Sequence, residues 1–263
     1  MKTLTSATIR PSTTTPAQAG RSRRTAHGFT LIELMVAITI GLFIVSGIGA
    51  ILVSMRTSFK AQDGLTQMQE NARFLLTVMD TTVHNGGYFT DTVNVKSDAA
   101  LPVPASGNTD GTTFAAAQFI TGTSGTSDTL DVRFQTATGD GLMNCNGDTN
   151  TSGSNVVYTN SFAVNGSGQL TCAVATNGGL PAAAEILIDN VSTMKVLYGV
   201  DTDGDGSVDT YKPASAITTP AMWNAVGSVQ LTLTMKDLVN STPSTTVNLP
   251  KTLLHTINLM NKR

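Results

Sequence analysis

The sequence has little charge, few aromatic residues and almost no cysteine. Charged residues make up 13% of the 263 positions and aromatic residues 5%, which is a low charge density for a cytosolic enzyme. There are two cysteines and three histidines, and no Cys/His spacing suggests zinc. No G-x-S-x-G, P-loop or H-E-x-x-H pattern is present either. These absences argue against an enzyme. Serine, threonine, asparagine and glycine are abundant instead, as in many extracellular β-rich proteins.

Basic residues are concentrated at the N-terminus. Residues 1–28 contain five of the 16 basic residues and no acidic residue, which leaves 11 basic residues against 18 acidic ones in the remainder. A mildly acidic body argues against sequence-independent binding of nucleic acid, because such binding needs a positive surface. Residues 1–26 are rich in Ser, Thr and Pro and have no apolar periodicity. We interpret them as a leader and not as part of the fold.

A long apolar run follows the basic segment. Residues 29–55 contain one charged side chain, Glu33, and are long enough to cross a bilayer as a helix. The run is much longer than the apolar part of a cleaved secretory signal. The basic cluster at residues 21–24 predicts that the N-terminus stays in the cytoplasm. We therefore expect a single-pass membrane protein with a cytoplasmic N-terminus and an exported body.

The helical pattern continues beyond the apolar run. Between residues 56 and 84 there is no proline and one glycine, and the glycine pair in "HNGGYF" predicts the end of the helix. Apolar or small residues recur at steps of three and four, which places them on one face. The sequence thus predicts one helix of about 55 residues, apolar all round over 29–55 and amphipathic over 56–87. Its buried stripe is formed by Leu65, Met68, Ala72, Leu75, Met79 and Val83.

After the helix the pattern changes to alternating and short apolar runs, which are typical of strands. No second helix of note is expected, and the prediction is an α+β fold in which the long helix packs on an antiparallel sheet. Turn residues separate the predicted strands. These strands lie near 114–120, 129–135, 155–164, 169–175, 185–199, 226–236 and 252–260.

The two cysteines, Cys145 and Cys172, both lie in the predicted exported part. In an oxidising compartment they are expected to form one disulfide. The alternative is two unpaired, buried thiols.

The stretch "GFTLIELMVAITIG" resembles the processing site of type IV prepilins. The family pattern is a glycine, a phenylalanine and an apolar run with glutamate at the fifth position after the cut, matched here by Gly28, Phe29 and Glu33. The resemblance implies cleavage between Gly28 and Phe29 by a prepilin peptidase that also methylates the new amine. In an assembled fibre, Glu33 can meet the amine of Phe29 in a neighbouring subunit, which offsets the cost of burying the carboxylate. The alternative is a glutamate that stays protonated or reaches the interface without a partner.

Further segments resemble minor pilins of the PilW type. In "MQENARFLLTVMDTTVHNGGYF", residues 68–89, Glu70, Asn71 and Arg73 match the family's E-N-x-R run before a glycine-aromatic turn. His84 and the double glycine depart slightly from the family turn. "LMNCNG" with "LTC", "VLYGVDTDGDGSVDTY" and "TINLMNKR" are also similar to family segments.

The resemblance implies a type IV pilin-like fold and a low-abundance subunit. Such a subunit primes pilus assembly or sits at the tip, with other minor pilins and the major pilin as partners, and supports motility or adhesion. The expected organisation is a leader over 1–28, a membrane and fibre-core helix over 29–55, an amphipathic helix over 56–87 and a β-rich domain over 88–263.

Two alternatives remain open from the sequence. A minor pseudopilin of a type II secretion system has the same kind of N-terminus. A membrane-anchored, calcium-dependent adhesin that does not polymerise belongs to a different class and would not be processed at Gly28.

The stretch "DTDGDGSVD" places oxygen ligands at alternate positions, as in the first nine positions of an EF-hand loop. Hard oxygen ligands at this density suit calcium. Lys212 occupies the position of the bidentate glutamate, so binding would be weak. The alternative is an Asp/Gly-rich turn, and no other cofactor is expected. The candidate ligands are Asp201, Asp203, Asp205, the Ser207 carbonyl and Asp209.

The processing motif generates the first prediction. The mature protein is expected to begin at methylated Phe29, and mass spectrometry of the N-terminal peptide of the membrane-extracted protein checks this. Gly28→Ala should slow cleavage modestly, whereas the bulky Gly28→Trp should block it. An intact leader in a strain with active peptidase would show that the assignment is wrong.

Overall fold

The computed structural model describes residues 28–236 and 252–259, and the N-terminal 27 residues lie outside the described part. The chain divides into two compact units between Met55 and Arg56. Within the described residues the helices are α1 (Leu31–His84), α2 (Ser97–Ala100) and α3 (Pro220–Asn224), with a 3₁₀ turn at Ala214–Ala216.

The predicted long helix is confirmed as α1, which has 54 residues. Thr30 caps its first turn, where the Glu33 amide donates to the Thr30 hydroxyl over 3.3 Å. By length and composition α1 is the helix in the described part that could cross a membrane. It ends at His84, three residues before the predicted end, because the Gly86 amide turns back to the Val83 carbonyl at 2.9 Å and Gly87 adopts a φ of +80°.

The amphipathic part of α1 buries the predicted stripe. Leu75, Met79 and Val83 are fully buried, and the earlier stripe residues are half-buried. The exposed side of this part is mostly polar. The three-and-four spacing therefore identified the face that packs on the core.

The first sheet has the strand order β1-β2-β3-β4-β5, with all neighbours antiparallel. The register places Val132 of β2 opposite Asn160 of β3, and Asn160 opposite Val174 of β4. The strands are β1 (Ile120–Thr121), β2 (Leu130–Thr136), β3 (Val156–Val164), β4 (Leu170–Thr176) and β5 (Glu185–Ile188).

The second sheet has the order β7-β6-β8-β9 and is also antiparallel. Two sheets are thus present where the sequence suggested one. The strands are β6 (Val191–Val200), β7 (Thr210–Pro213), β8 (Val226–Met235) and β9 (Thr252–Asn258).

Two strand predictions are wrong in detail. The run 185–199 is not one strand, since Asn190 adopts a φ of +63° and separates β5 in one sheet from β6 in the other. The run 114–120 is largely a turn, because Ala117 has a φ of +61° and only Ile120 joins a strand. The short strand β7 was not predicted. A positive φ at a residue other than glycine cannot be recognised from the spacing of apolar residues, so the sequence did not reveal the breaks at Asn190 and Ala117.

One core joins the amphipathic part of α1 to the inner faces of both sheets. On β2 the inward residues Leu130, Val132 and Phe134 are all fully buried. Burial of apolar surface on this scale is the main source of folding free energy.

The predicted disulfide between Cys145 and Cys172 is present. It joins the loop after β2 to strand β4 with a Cα–Cα distance of 6.4 Å, and both cysteines are buried. The Cys145 amide also donates to the Asn160 side chain at 2.8 Å. The bridge therefore holds an irregular segment against the first sheet.

The disulfide generates the second prediction. Its sequence separation is 27 residues, so the double variant Cys145→Ala, Cys172→Ala is expected to lose about 3–4 kcal/mol of unfolding free energy through loop entropy. Denaturant titration of the full chain measures the loss, and reduced wild type is the matched comparison. A loss below about 1 kcal/mol in both samples would contradict the entropic account.

Candidate functional site

The predicted processing segment lies at the start of α1. Phe29 is 82% exposed, and no atom lies within 4 Å of a Cβ added to Gly28. The Thr30 hydroxyl accepts from the Glu33 amide and lies 3.5 Å from a Glu33 carboxylate oxygen. This T-x-x-E arrangement is close to a capping box, a local pattern that is visible in the sequence but was not among the predictions made from it.

The capping contact has an electrostatic consequence. Glu33 lies in the first turn of α1, where a negative charge interacts favourably with the exposed amides of a helix N-terminus. Its carboxylate is held towards the end of the chain that a cut after Gly28 would create. The geometry thus brings Gly28, Phe29 and Glu33 into one short segment.

The predicted acidic loop connects β6 to β7. Asp201 is buried and accepts from the amides of Gly204 at 2.7 Å and Gly206 at 3.0 Å. Asp209 accepts from both the amide and the hydroxyl of Thr202 at 2.7 Å. These bonds, the backbone one first, lower the pKa of Asp209. The loop's own amides therefore stabilise two of its negative charges.

The structure brings together three of the four carboxylates predicted to bind calcium. One carboxylate oxygen from each of Asp201, Asp203 and Asp209 lies within 4.8 Å of the others. Asp205 is not in this group; it accepts from the Ser207 amide at 2.6 Å. Three converging carboxylates could hold a divalent cation of the hard, oxygen-preferring class.

A second polar region lies on the outward face of β2, under residues 90–119, here called the covering segment. Arg133 is 2% exposed, although it belongs to a residue type that is rarely buried. All of its described hydrogen-bond acceptors are backbone carbonyls of the covering segment. They are Gln118 at 2.6 Å from Nε, Pro102 at 2.5 Å from Nη1, and Leu101 at 3.0 Å and Ala115 at 2.8 Å from Nη2.

The arginine also stacks on an aromatic ring. The guanidinium lies 4.6 Å from the centroid of Phe114, an attractive geometry for a cation. Burial lowers the pKa of Arg133 to about 10, so it stays charged at neutral pH. Arg133 was not predicted from the sequence, where the only signal was its place in the alternating run "LDVRFQT".

Both histidines of the described part join α1 to β9. His84 Nδ1 lies 2.8 Å from the Asn258 carbonyl. His255 Nε2 lies 3.3 Å from the Asp80 carboxylate. Their contacts are those of side chains that hold a helix on a strand.

Two protein-family models match the chain. Residues 23–55 match the prokaryotic N-terminal methylation motif, and residues 157–258 match the type IV pilus-assembly protein W. The second match covers β3 to β9 and the acidic loop. The E-N-x-R segment at 68–89 lies between the two matches.

No curated protein matches the chain. The family models point to a structural pilus component and not to an enzyme. They also imply prepilin processing, membrane anchoring and interaction with other pilus components. Together with the long apolar start of α1, the two matches indicate a type IV pilus minor pilin that takes part in pilus assembly.

Proposed function

We propose that this minor pilin belongs to the complex that primes the pilus or forms its tip, and that it thereby supports motility or adhesion. The observation that carries the proposal is Glu33. It is the single charged residue of the run 29–55, and it lies at the capped start of α1, next to the exposed Phe29. A carboxylate at hydrocarbon depth costs roughly 2.5–3.5 kcal/mol on insertion scales.

The proposed assembly step offsets that cost. Cleavage between Gly28 and Phe29 leaves a positive amine at Phe29. In a bundle of such helices, the amine of one subunit meets the Glu33 carboxylate of its neighbour. Close opposite charges in a medium of low dielectric constant attract strongly, so one register is favoured over the others.

The proposal includes specific partners and a location. A prepilin peptidase removes residues 1–28, and other minor pilins and the major pilin are the assembly partners. The basic cluster at 21–24 supports an N-terminus in the cytoplasm, with 29–55 in the inner membrane. The body, made of the amphipathic helix over 56–87 and the domain over 88–263, lies in the periplasm before assembly and on the pilus afterwards.

The two alternatives are less well supported. A pseudopilin of a type II secretion system would also carry the methylation motif, but the match over 157–258 is to a pilus-assembly protein. An adhesin that does not polymerise would have no use for Glu33 in the apolar run.

The third prediction tests the role in assembly. Deletion of the gene should reduce the number of surface pili, and wild type supplied in trans should restore them. Glu33→Ala should be processed normally but fail to restore piliation, because the carboxylate acts after cleavage. Microscopy counts the pili, and mass spectrometry follows processing.

Asp63→Ala is the matched control, since it removes an exposed acid from the same helix outside the apolar run. It should restore piliation fully. Full piliation with Glu33→Ala would exclude the pairing role, and loss of cleavage would instead assign Glu33 to the peptidase step.

Calcium binding at the acidic loop stays a prediction. The convergence of Asp201, Asp203 and Asp209 favours it, while the amide contacts of Asp201 and Asp209 already stabilise the loop without a cation. Four carboxylates within nine residues repel one another, and a divalent cation would reduce that repulsion.

The fourth prediction follows from this geometry. Millimolar calcium should raise the melting temperature of the full chain in detergent by about 2–4 °C relative to chelator, as expected for a weak extracellular site. Asp203→Asn should abolish the shift. Asp205→Asn, outside the converging group, should retain most of it. Equal melting temperatures with calcium and with chelator would leave the loop as an Asp/Gly turn.

A further inference from the structure

A pair of carboxyl groups joins the covering segment to β2. Asp131 points outward from β2 next to Arg133, yet it is 1% exposed because the covering segment lies over it. Asp110 belongs to the covering segment, and one hydroxyl lies beside both carboxyl groups: Thr112 Oγ1 is 2.7 Å from Asp110 Oδ1 and 3.4 Å from Asp131 Oδ2. Two carboxyl groups can share a hydrogen bond only when one of them carries a proton.

The surrounding donors determine which of the two is ionised. Asp110 Oδ1 accepts from the Thr112 amide at 2.9 Å and hydroxyl at 2.7 Å. Asp110 Oδ2 accepts from the Thr129 hydroxyl at 2.5 Å. Asp131 has weaker support: the Thr112 hydroxyl is 3.4 Å away, and a hydrogen bond from Ser161 lowers the pKa of Asp131 less than burial raises it. The geometry therefore places the negative charge on Asp110 and the proton on Asp131.

Other titratable groups near the pair do not neutralise it. Tyr198 reaches in from β6, where its hydroxyl donates to the Thr121 carbonyl at 3.3 Å. Asp128 is paired with Lys195 at 3.2 Å. The guanidinium of Arg133 is bound to carbonyls of the covering segment. The opposing residues on β1 and β3, Thr121 and Ser161, are uncharged.

We propose that Asp110 and Asp131 form a clasp that operates by one shared proton. The clasp holds the covering segment on the sheet while that proton is bound, and it weakens as the pH rises and the proton is lost. Loss of the proton leaves a negative charge on the buried Asp131 close to the negative charge of the half-buried Asp110. The segment that carries Asp110 is then repelled from β2. The surface around the exposed Val93 and Val103, which lie on the same segment, changes as a result.

The pKa directions agree with this geometry. Burial raises the pKa of Asp131 well above its usual range, and repulsion from Asp110 adds to the effect. Burial alone would raise the pKa of Asp110 too, but hydrogen bonds from Thr112 and Thr129 outweigh it and lower that pKa.

The sign of the pH dependence follows from linkage. A group with a raised folded-state pKa stabilises fully below its unfolded pKa, and this stability is lost as the pH rises through the folded value. Asp131 therefore makes the fold less stable towards alkaline pH. Asp110 acts in the opposite sense at low pH, where its stabilisation is lost as the pH falls through its lowered value.

The test follows the melting temperature of the full chain in detergent from about pH 5, just above the ordinary aspartate range, to about pH 9. The signal is the fluorescence of Trp223, the single tryptophan, which packs 4.8 Å from the ring of Tyr198. Wild type should lose at least about 3 °C over this range. Asp131→Asn keeps a donor towards Asp110 but cannot ionise, so its melting temperature should stay nearly constant.

Controls isolate the pair. Asp98→Asn removes an exposed acid from the covering segment and should keep the wild-type slope. Both chains contain His84 and His255, so the difference between wild type and Asp131→Asn excludes histidine titration. If Asp131→Asn does not fold, Asp110→Asn replaces it and should melt above wild type at about pH 9, since it removes the charge that repels Asp131.

Equal slopes in wild type and in the variant that folds would overturn the proposal. A second result would also overturn it. If millimolar calcium raises the alkaline melting temperature of wild type clearly more than that of Asp131→Asn, which keeps the acidic loop, the pair binds a cation and does not share a proton.

Discussion

The rest of the body depends on the two opposite faces of strand β2. Its inward residues are apolar and fully buried against the core that includes α1. Its outward residues hold the covering segment through hydrogen bonds and through the stacking of Arg133 on Phe114. The backbone of the same strand also fixes the end of the helix, since the Gly87 amide donates to the Arg133 carbonyl and the Gln135 amide donates to the Tyr88 carbonyl. The inward set is Leu130, Val132 and Phe134, and the outward set is Asp131, Arg133 and Gln135.

The parts of the fold that the sequence predicts are those with a local cause. The length of α1 and its buried stripe follow from apolar spacing and from the glycine pair after His84. The alternation in β2 predicts a strand with one buried face, but it also suggests that the polar face meets water. In the structure the covering segment lies over that face. The Arg133 guanidinium donates to four backbone carbonyls of this segment, which has no secondary structure at those four residues. Likewise, the division of 185–199 between two sheets depends on one left-handed residue, Asn190.

The same distinction applies to the sites. Gly28, Phe29 and Glu33 lie within six positions, and the acidic loop lies within nine. A short stretch of sequence is therefore enough to propose each site, the first by its resemblance to a prepilin processing site and the second by its spacing. Spacing did not show that Asp205 lies outside the converging group, since that depends on how each carboxylate meets the amides of the loop. The clasp of Asp110 and Asp131 has no local pattern, because the fold brings a loop residue to a strand residue.

These acidic residues illustrate three ways to stabilise a carboxyl group away from bulk water. In the acidic loop, backbone amides of the same loop solvate Asp201. On β2, Asp131 keeps its proton and donates to Asp110 in the proposed clasp. Both solutions are complete within one chain. At the start of α1, the Glu33 carboxylate has the Thr30 hydroxyl 3.5 Å away, but the residues around it are exposed apolar side chains. The Glu33 carboxylate is stabilised further when like helices pack around these apolar side chains and bring a positive group close to it. In the proposed fibre, the amine of Phe29 in a processed neighbour is that group.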